Sequence, residues 1–359
     1  VSGVRTSGPA LVVFQVERLT HHTNADDERI YRDEEEIRRV RSEADPLRVL
    51  RSALVASGLD PVPLETEVVR EVRAAADRAL IAPNPTVCLD ARLPLPPGLS
   101  DAPEYRGHDA ETRLTMLEAM REVLRVRLES DPRATLFGQD LEDPKGDVFG
   151  LTRGLSRAFP GRVNNSPLTE STIAGVSIGR ALAGGHPVAC IQFADFVPLA
   201  FNQLASELGS MHWRSHGGWS APVVVMMPCG GYRPGLGPFH AQTFESVLAH
   251  VPGLDVVMPS TAADAAGLLN AAFRSGRPTV FLYPKVCLND VALSTSGDVA
   301  DHWVLPGVAR RVMAGDDLTL VTWGATVPLC QRVAVALREG GVTVDLLDLR
   351  SLSPWDVGS

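Results

Sequence analysis

Apolar residues recur along this 359-residue chain in two rhythms that take turns, one of helical period and one of short unbroken runs. Leu114, Leu117, Met120, Leu124 and Leu128 stand at helical spacing and predict an amphipathic helix over 110–130, with a strand at 134–137 after it. The helical rhythm returns over 171–182 and stops at Gly184-Gly185, and the run 188–193 predicts a buried strand. Predicted helices and strands then alternate through 199–208, 222–227, 244–250, 255–258, 262–273 and 279–283. Alternation of this kind predicts an α/β fold, a parallel sheet with helices on both faces. A last strand–helix–strand unit, over 318–323, 328–338 and 342–347, is too short to close a domain of its own.

The first part of the chain patterns differently. A strand is expected at 11–14, then a polar loop, RLTHHTNADDERIYR, over 18–32. Helices follow over 34–56, with a break at Asp45-Pro46, and over 64–80, with Gly58 as a stop between them. Residues 83–109 carry repeated prolines and no period, so they read as an inter-domain linker, and a second linker runs over about 289–316. Because the chain enters directly on a strand and stops just after one, it is expected to be a fragment.

Composition narrows the function classes. A hydrophobic content of 45% fits two or three globular domains, and a net charge of −9 argues against a nucleic-acid or membrane-surface role. Lys145 and Lys285 are the only lysines among 34 basic residues, which looks like a composition bias toward arginine. Cys88, Cys190, Cys229, Cys287 and Cys330 are odd in number, scattered and mostly within apolar runs. They read as reduced buried thiols, without metal-type spacing, and a cytoplasmic location is expected. No apolar run is long enough to span a membrane and no signal-type segment opens the chain.

Three places could carry chemistry. Glu170 opens the helix predicted at 171–182, where a carboxylate either serves the helix end or stands as an acid at the rim of a site. The glycine- and proline-rich loop CGGYRPGLGPFHAQTFES, residues 229–246, presents His240 near a helix start, as a proton-transfer group or an exposed histidine. The 18–32 loop concentrates His21, His22, Asp26 and Asp27, either for function or as a solvated surface. Phosphate-binding glycine motifs are absent from the sequence.

Taken in order, these motifs resemble the thiamine-diphosphate-dependent decarboxylating component of 2-oxo acid dehydrogenase complexes, the pyruvate and branched-chain enzymes. GPALVVFQVERLTHHTNADDERIYR and EEIRRVRSEADPLRVL are similar to the C-terminal part of its α subunit. FGQDLEDPKGDVFGLTRGL, RVNNSPLTE, IQFADF, GLGPFHAQTFES, VPGLDVVMPSTAADAAGLL and LDLRSLSPWD are similar to its β subunit. Gln139 stands where the family usually has Glu, and Phe196 where it commonly has Tyr. HHTNADD leans toward the branched-chain members and EIRRVRSEADPL toward the pyruvate members, so the substrate is not chosen.

The resemblance implies a transketolase-like α/β fold. It divides the chain into an α-like diphosphate-binding part (1–82), the proline-rich linker (83–109), a β-like pyrimidine-binding domain (110–290), a second linker (291–316) and an incomplete C-terminal domain (317–359). It implies oxidative decarboxylation of a 2-oxo acid by thiamine diphosphate, with acyl transfer to the lipoyl group of a partner acyltransferase. Glu170 would activate the aminopyrimidine, and Phe196, Gln192, Leu168 and Arg18 would help bind the cofactor. His240 and His22 would serve the substrate and the transfer. Magnesium is also implied, but the family's Gly-Asp-Gly…Asn segment is absent from these residues. Its ligands are therefore expected outside this segment, from a homo-oligomer or a complementary α-type chain. A thiamine-dependent carboligase or acyl donor, and a non-catalytic structural homologue, stand as alternatives.

Overall fold

The computed structural model describes residues 11, 13–84, 86 and 95–358, which divide into two compact units, 1–87 and 88–359. The prediction on Cys88 lies outside the described residues.

The first unit is helical. Its helices are α1 (Glu34–Glu43), α2 (Pro46–Ala56) and α3 (Val62–Ile81). Asp33 and Asp45 start α1 and α2 by accepting the backbone N–H of Glu35 and Leu47, which leaves Pro46 at the position where its missing N–H costs nothing. The break expected at Asp45-Pro46 is thus a helix start. Of the strand expected at 11–14, the described residues Leu11, Val13 and Phe14 are exposed and not in a strand, and no described segment of this unit is a strand that could pair with them. A β-strand needs a neighbour for its backbone groups, which the apolar pattern alone did not guarantee.

In the second unit, β1 (Arg113–Leu114) leads into α4 (Met116–Ser130), whose start is fixed by a capping box between Thr115 and Glu118. Next come β2 (Ala134–Gly138), β3 (Val163–Asn165), α5 (Glu170–Leu182) and β4 (His186–Cys190). They are followed by β5 (Val224–Cys229), α6 (Glu245–Ala249), β6 (Asp255–Val257), α7 (Ala262–Ser275) and β7 (Thr279–Pro284). The chain ends with β8 (Thr295–Ser296), β9 (Arg310–Met313), β10 (Leu318–Thr322), α8 (Thr326–Glu339), β11 (Val344–Asp348) and β12 (Ser351–Ser353). The segment predicted as a helix at 199–208 is a 3-10 helix over Ala194–Ala200 followed by a π-helix over Gln203–Gly209.

Seven strands form the main sheet in the order β12-β6-β7-β5-β4-β2-β3, parallel except for the β12–β6 pair. Alternate residues of the central strands serve opposite faces. Val188, Cys190, Val224, Met226, Phe281 and Tyr283 pack with α4 and α7. Ala189, Ile191, Val225, Met227, Val280 and Leu282 pack with α5 and the 194–209 segment. Both faces are dry, which is why these strands read as continuous apolar runs. A separate sheet, β10-β11-β9, carries α8.

The segments read as linkers carry structure. Tyr105 bridges to Trp303, β1 pairs with β8, and Val304 packs where any side chain at Gly267 of α7 would collide with it. Beneath them Asp264 of α7 is fully buried among Arg106, Arg310 and Arg350. Burial alone would push its carboxyl up, but the three guanidinium groups outweigh that and hold it well below the usual range. Proline content marked residues 95–109 as irregular backbone, and irregular backbone here is also packed backbone.

Candidate functional site

The site lies beyond the carboxyl ends of the parallel strands, where α/β sheets place their ligands. β2 delivers Gln139, β4 delivers residues 191–196, β5 runs into the 230–244 loop and β7 delivers Lys285. Gly138 ends β2 because a Cβ there would strike the carbonyl oxygen of Cys190 in β4. That close approach brings Gln139 into the interior.

Glu170 is the first residue of α5 and is 6% exposed. Among the described residues its carboxylate takes part in one hydrogen bond, from Gln139 Nε2 at 3.4 Å, and Gln139 is itself buried. It makes no bond to the backbone of its own helix: Thr169 is the N-cap, and that too is without a side-chain cap bond. The helix-end role weighed for Glu170 is therefore limited to its favourable place in the first turn. A buried carboxylate with one long partner retains lone pairs for a further donor.

His240 and Phe196 meet. The imidazole lies 4.8 Å from the Phe193 ring and 5.9 Å from the Phe196 ring, both edge-on, and the two phenyl rings are 5.9 Å apart. Phe149 extends the wall to Tyr232. Behind it sits the Lys285 ammonium, 4.8 Å from the centre of Phe193 and donating to the His240 carbonyl oxygen at 2.5 Å. Burial lowers its proton affinity below that of an ordinary lysine. Asp195 Oδ1 accepts the backbone N–H groups of Ala241 and Gln242, each at 3.0 Å.

The remaining predicted residues are dispersed. Gln192 donates to Asp140 Oδ2 at 2.6 Å, and Leu168 is 85% exposed. Arg18 and His22 belong to the first unit, in one chain of hydrogen bonds. Arg18 donates to the Tyr31 hydroxyl at 2.5 Å, that hydroxyl donates to Asp26 Oδ2 at 2.6 Å, and the same oxygen accepts the His22 backbone N–H at 2.8 Å. Glu28, fully buried, accepts from Arg32 and Arg41 and fixes the loop to α1. The HHT loop is thus exposed and tied by its own hydrogen bonds.

Phe193, Asp195 and Lys285 were missed from the sequence as site residues. Phe193 and Asp195 lay within the quoted IQFADF motif, and Lys285 is one of two lysines in a chain that otherwise uses arginine. A residue that resists such a bias carried the signal.

A strand-end site on a doubly covered parallel sheet, with a second small α/β sheet after it, is the setting in which the matches to known proteins fall, and those matches give a transketolase-like fold. A model for the transketolase, pyrimidine binding domain matches residues 112–290, one for the transketolase, C-terminal domain matches 307–359, and one for the dehydrogenase E1 component matches 3–85. A solved structure titled "Split gene transketolase, inactive beta4 tetramer" shares the fold at TM-score 0.56 and 21% identity, covering 68% of this chain and 74% of that one. The 2-oxoisovalerate dehydrogenase subunit beta of Bacillus subtilis (strain 168) is 40% identical over 246 residues, which is 68% of this chain and 73% of that protein. The pyruvate dehydrogenase E1 component subunit beta of the same organism is 35% identical over 68% of this chain and 74% of its own length. The mitochondrial 2-oxoisovalerate dehydrogenase subunit beta of Dictyostelium discoideum is 36% identical over 71% and 68%. The chain belongs to the E1 family of 2-oxo acid dehydrogenases.

Proposed function

We propose that the protein decarboxylates a 2-oxo acid with thiamine diphosphate and passes the acyl group to the lipoyl group of a partner acyltransferase. The observation that carries this reading is Glu170: a buried carboxylate with unused acceptor capacity, held by Gln139 at the carboxyl ends of the strands. An aminopyrimidine needs such an acceptor for a ring-nitrogen proton and a flat apolar wall for its face, and Glu170 and Phe196 fit those needs. When bound, the cofactor supplies the electron sink that accepts the carbanion left after carbon dioxide is lost.

The chain's own residues do the rest. Glu170 takes up and returns a proton at the pyrimidine. Gln139, a neutral donor, orients that carboxylate without competing for the proton. Phe196 offers its ring with no hydroxyl, so it shapes the pocket and donates nothing. His240, braced by Phe193 and Phe196, moves a proton at the lipoyl sulfur, and His22 serves the substrate carboxylate. Arg18 orders the loop that carries His22 through Tyr31 and Asp26.

For magnesium the fit fails: among the described residues no group of three His, Cys, Asp or Glu side chains could hold a metal ion. We assign the metal ligands to residues outside those described, in this polypeptide or in a complementary one.

Replacing Glu170 by Gln keeps the shape and removes the basic site. Single-turnover decarboxylation over a panel of 2-oxo acids is expected to fall roughly 10²- to 10⁴-fold, with cofactor binding still measurable by calorimetry. A variant with full decarboxylation would overturn the assignment. His240→Ala is expected to spare decarboxylation with an artificial electron acceptor and to impair lipoyl acylation; equal effects on both would remove His240 from the transfer step.

A further inference from the structure

The 230–244 loop has little of its own to hold it. Its glycines Gly230, Gly235 and Gly237 take positive φ, it contains no helix or strand, and His240 at its far end is exposed. Regular secondary structure therefore cannot fix the backbone that carries the imidazole. Polar ties do, and they come from two strand ends. From the turn after β4, Asp195 takes the two amides that follow His240, Ala241 N and Gln242 N. From the residue after β7, Lys285 takes the carbonyl of His240 itself. The loop closes on itself only between Gly230 N and Gln242 O, at 2.9 Å, and between Gln242 Nε2 and Pro238 O, at 2.7 Å.

We propose that Asp195 and Lys285 are positioning residues that clamp the His240 peptide from its carbonyl and amide sides, and so set the imidazole against Phe193 and Phe196. The inference rests on reading His240 as the proton-transferring group. Two further observations support the clamp. Lys285 is 5% exposed, and its ammonium lies over the faces of both Phe193 and Tyr232, so one cation ties the loop and the aromatic wall together. Asp195 Oδ2 is buried with no hydrogen-bond partner among the described residues, so this carboxylate is spent on the loop amides through its other oxygen alone. An exposed lysine and a solvated aspartate could be exchanged freely, whereas these two cannot be moved without releasing the peptide between them.

The test uses the full-length protein carrying histidines labelled at Cε1. The His240 resonance, identified by its loss in His240→Ala, is expected to be displaced by the ring currents of Phe193 and Phe196. In Lys285→Met it should move to the position of a solvent-exposed histidine, and in Lys285→Arg it should stay displaced. With cofactor, 2-oxo acid and lipoyl domain, Lys285→Met should lower kcat for lipoyl acylation roughly 10- to 100-fold, the size of loss that a displaced group produces, with KM for the 2-oxo acid unchanged. The double variant His240→Ala/Lys285→Met should be no slower than His240→Ala alone, because Lys285 acts only through His240. Additive losses, or an unmoved His240 resonance, would overturn the proposal. If Lys285→Met does not fold, Asp195→Ala read by the same resonance decides the matter. A wild-type protein without acyl transfer would refute the functional reading, while the resonance still reports on the clamp.

Discussion

The two units use amphipathic helices to opposite ends. In the second, α4 buries seven residues of its fifteen, from Met116 to Leu128, against the sheet. In the first, α2 and α3 bury none, and Leu47, Leu50, Leu64 and Val68 stand exposed on faces with the same period. The first unit is tied by polar groups, with Glu28 as its one fully buried charge among the described residues. A helical stripe says that a face wants cover; only the surrounding topology says whether the same unit provides it.

The contrast can be broken by measurement. Asp264→Ala removes the fully buried carboxylate shared by Arg106, Arg310 and Arg350, leaving Arg350 only the half-exposed Glu104 as a counter-charge, and should destabilise the second unit by about 3–5 kcal/mol in urea unfolding. An equal loss from Glu28→Ala would erase the distinction, since Arg41, one partner of Glu28, is half exposed. Leu124→Ala in α4 should cost about 2–5 kcal/mol, and Leu50→Ala in α2 less than about 0.5 kcal/mol. A large loss at Leu50 would mean that something covers that face in solution.

A smaller effect has the opposite sign. Burial pushes the Asp147 carboxyl up from 3.8 to about 6, despite backbone N–H bonds from Phe149 and Leu151. The folded protein thus holds this proton more tightly than the unfolded chain. Its contribution is complete below pH 3.8 and is lost as the pH rises through about 6. Asp147→Asn should raise stability at pH 7 by about 1–3 kcal/mol and flatten the profile between those limits. Asparagine also tolerates the positive φ at this position. Smallest of all, Arg51→Ala removes the exposed Arg51–Glu65 pair and should shift stability by less than about 1 kcal/mol, with the melting temperature nearly unmoved.

How much of this was legible depended on whether a residue's partners lie nearby in sequence. The parallel sheet was readable because strands dry on both faces leave unbroken apolar runs, as in 188–193 and 279–283. The break at Asp45-Pro46 was readable because capping is local. The strand expected at 11–14 is not seen in its described residues, because pairing is not local. The packed segments around Tyr105 and Trp303 were invisible because their partners lie almost two hundred residues apart, as in the Tyr105–Asp298 hydrogen bond. At the site, Glu170, Phe196 and His240 were expected from motifs. Gln139 was noticed as a departure, but its contact with Glu170 needed the Gly138 crossing, which no pattern displays.

The position of β12 has a kinetic meaning. It closes the β6 edge of the main sheet with residues 351–353, after the chain has already passed through β9, β10 and β11. During synthesis the nascent sheet must therefore wait with that edge open until the following unit has left the ribosome.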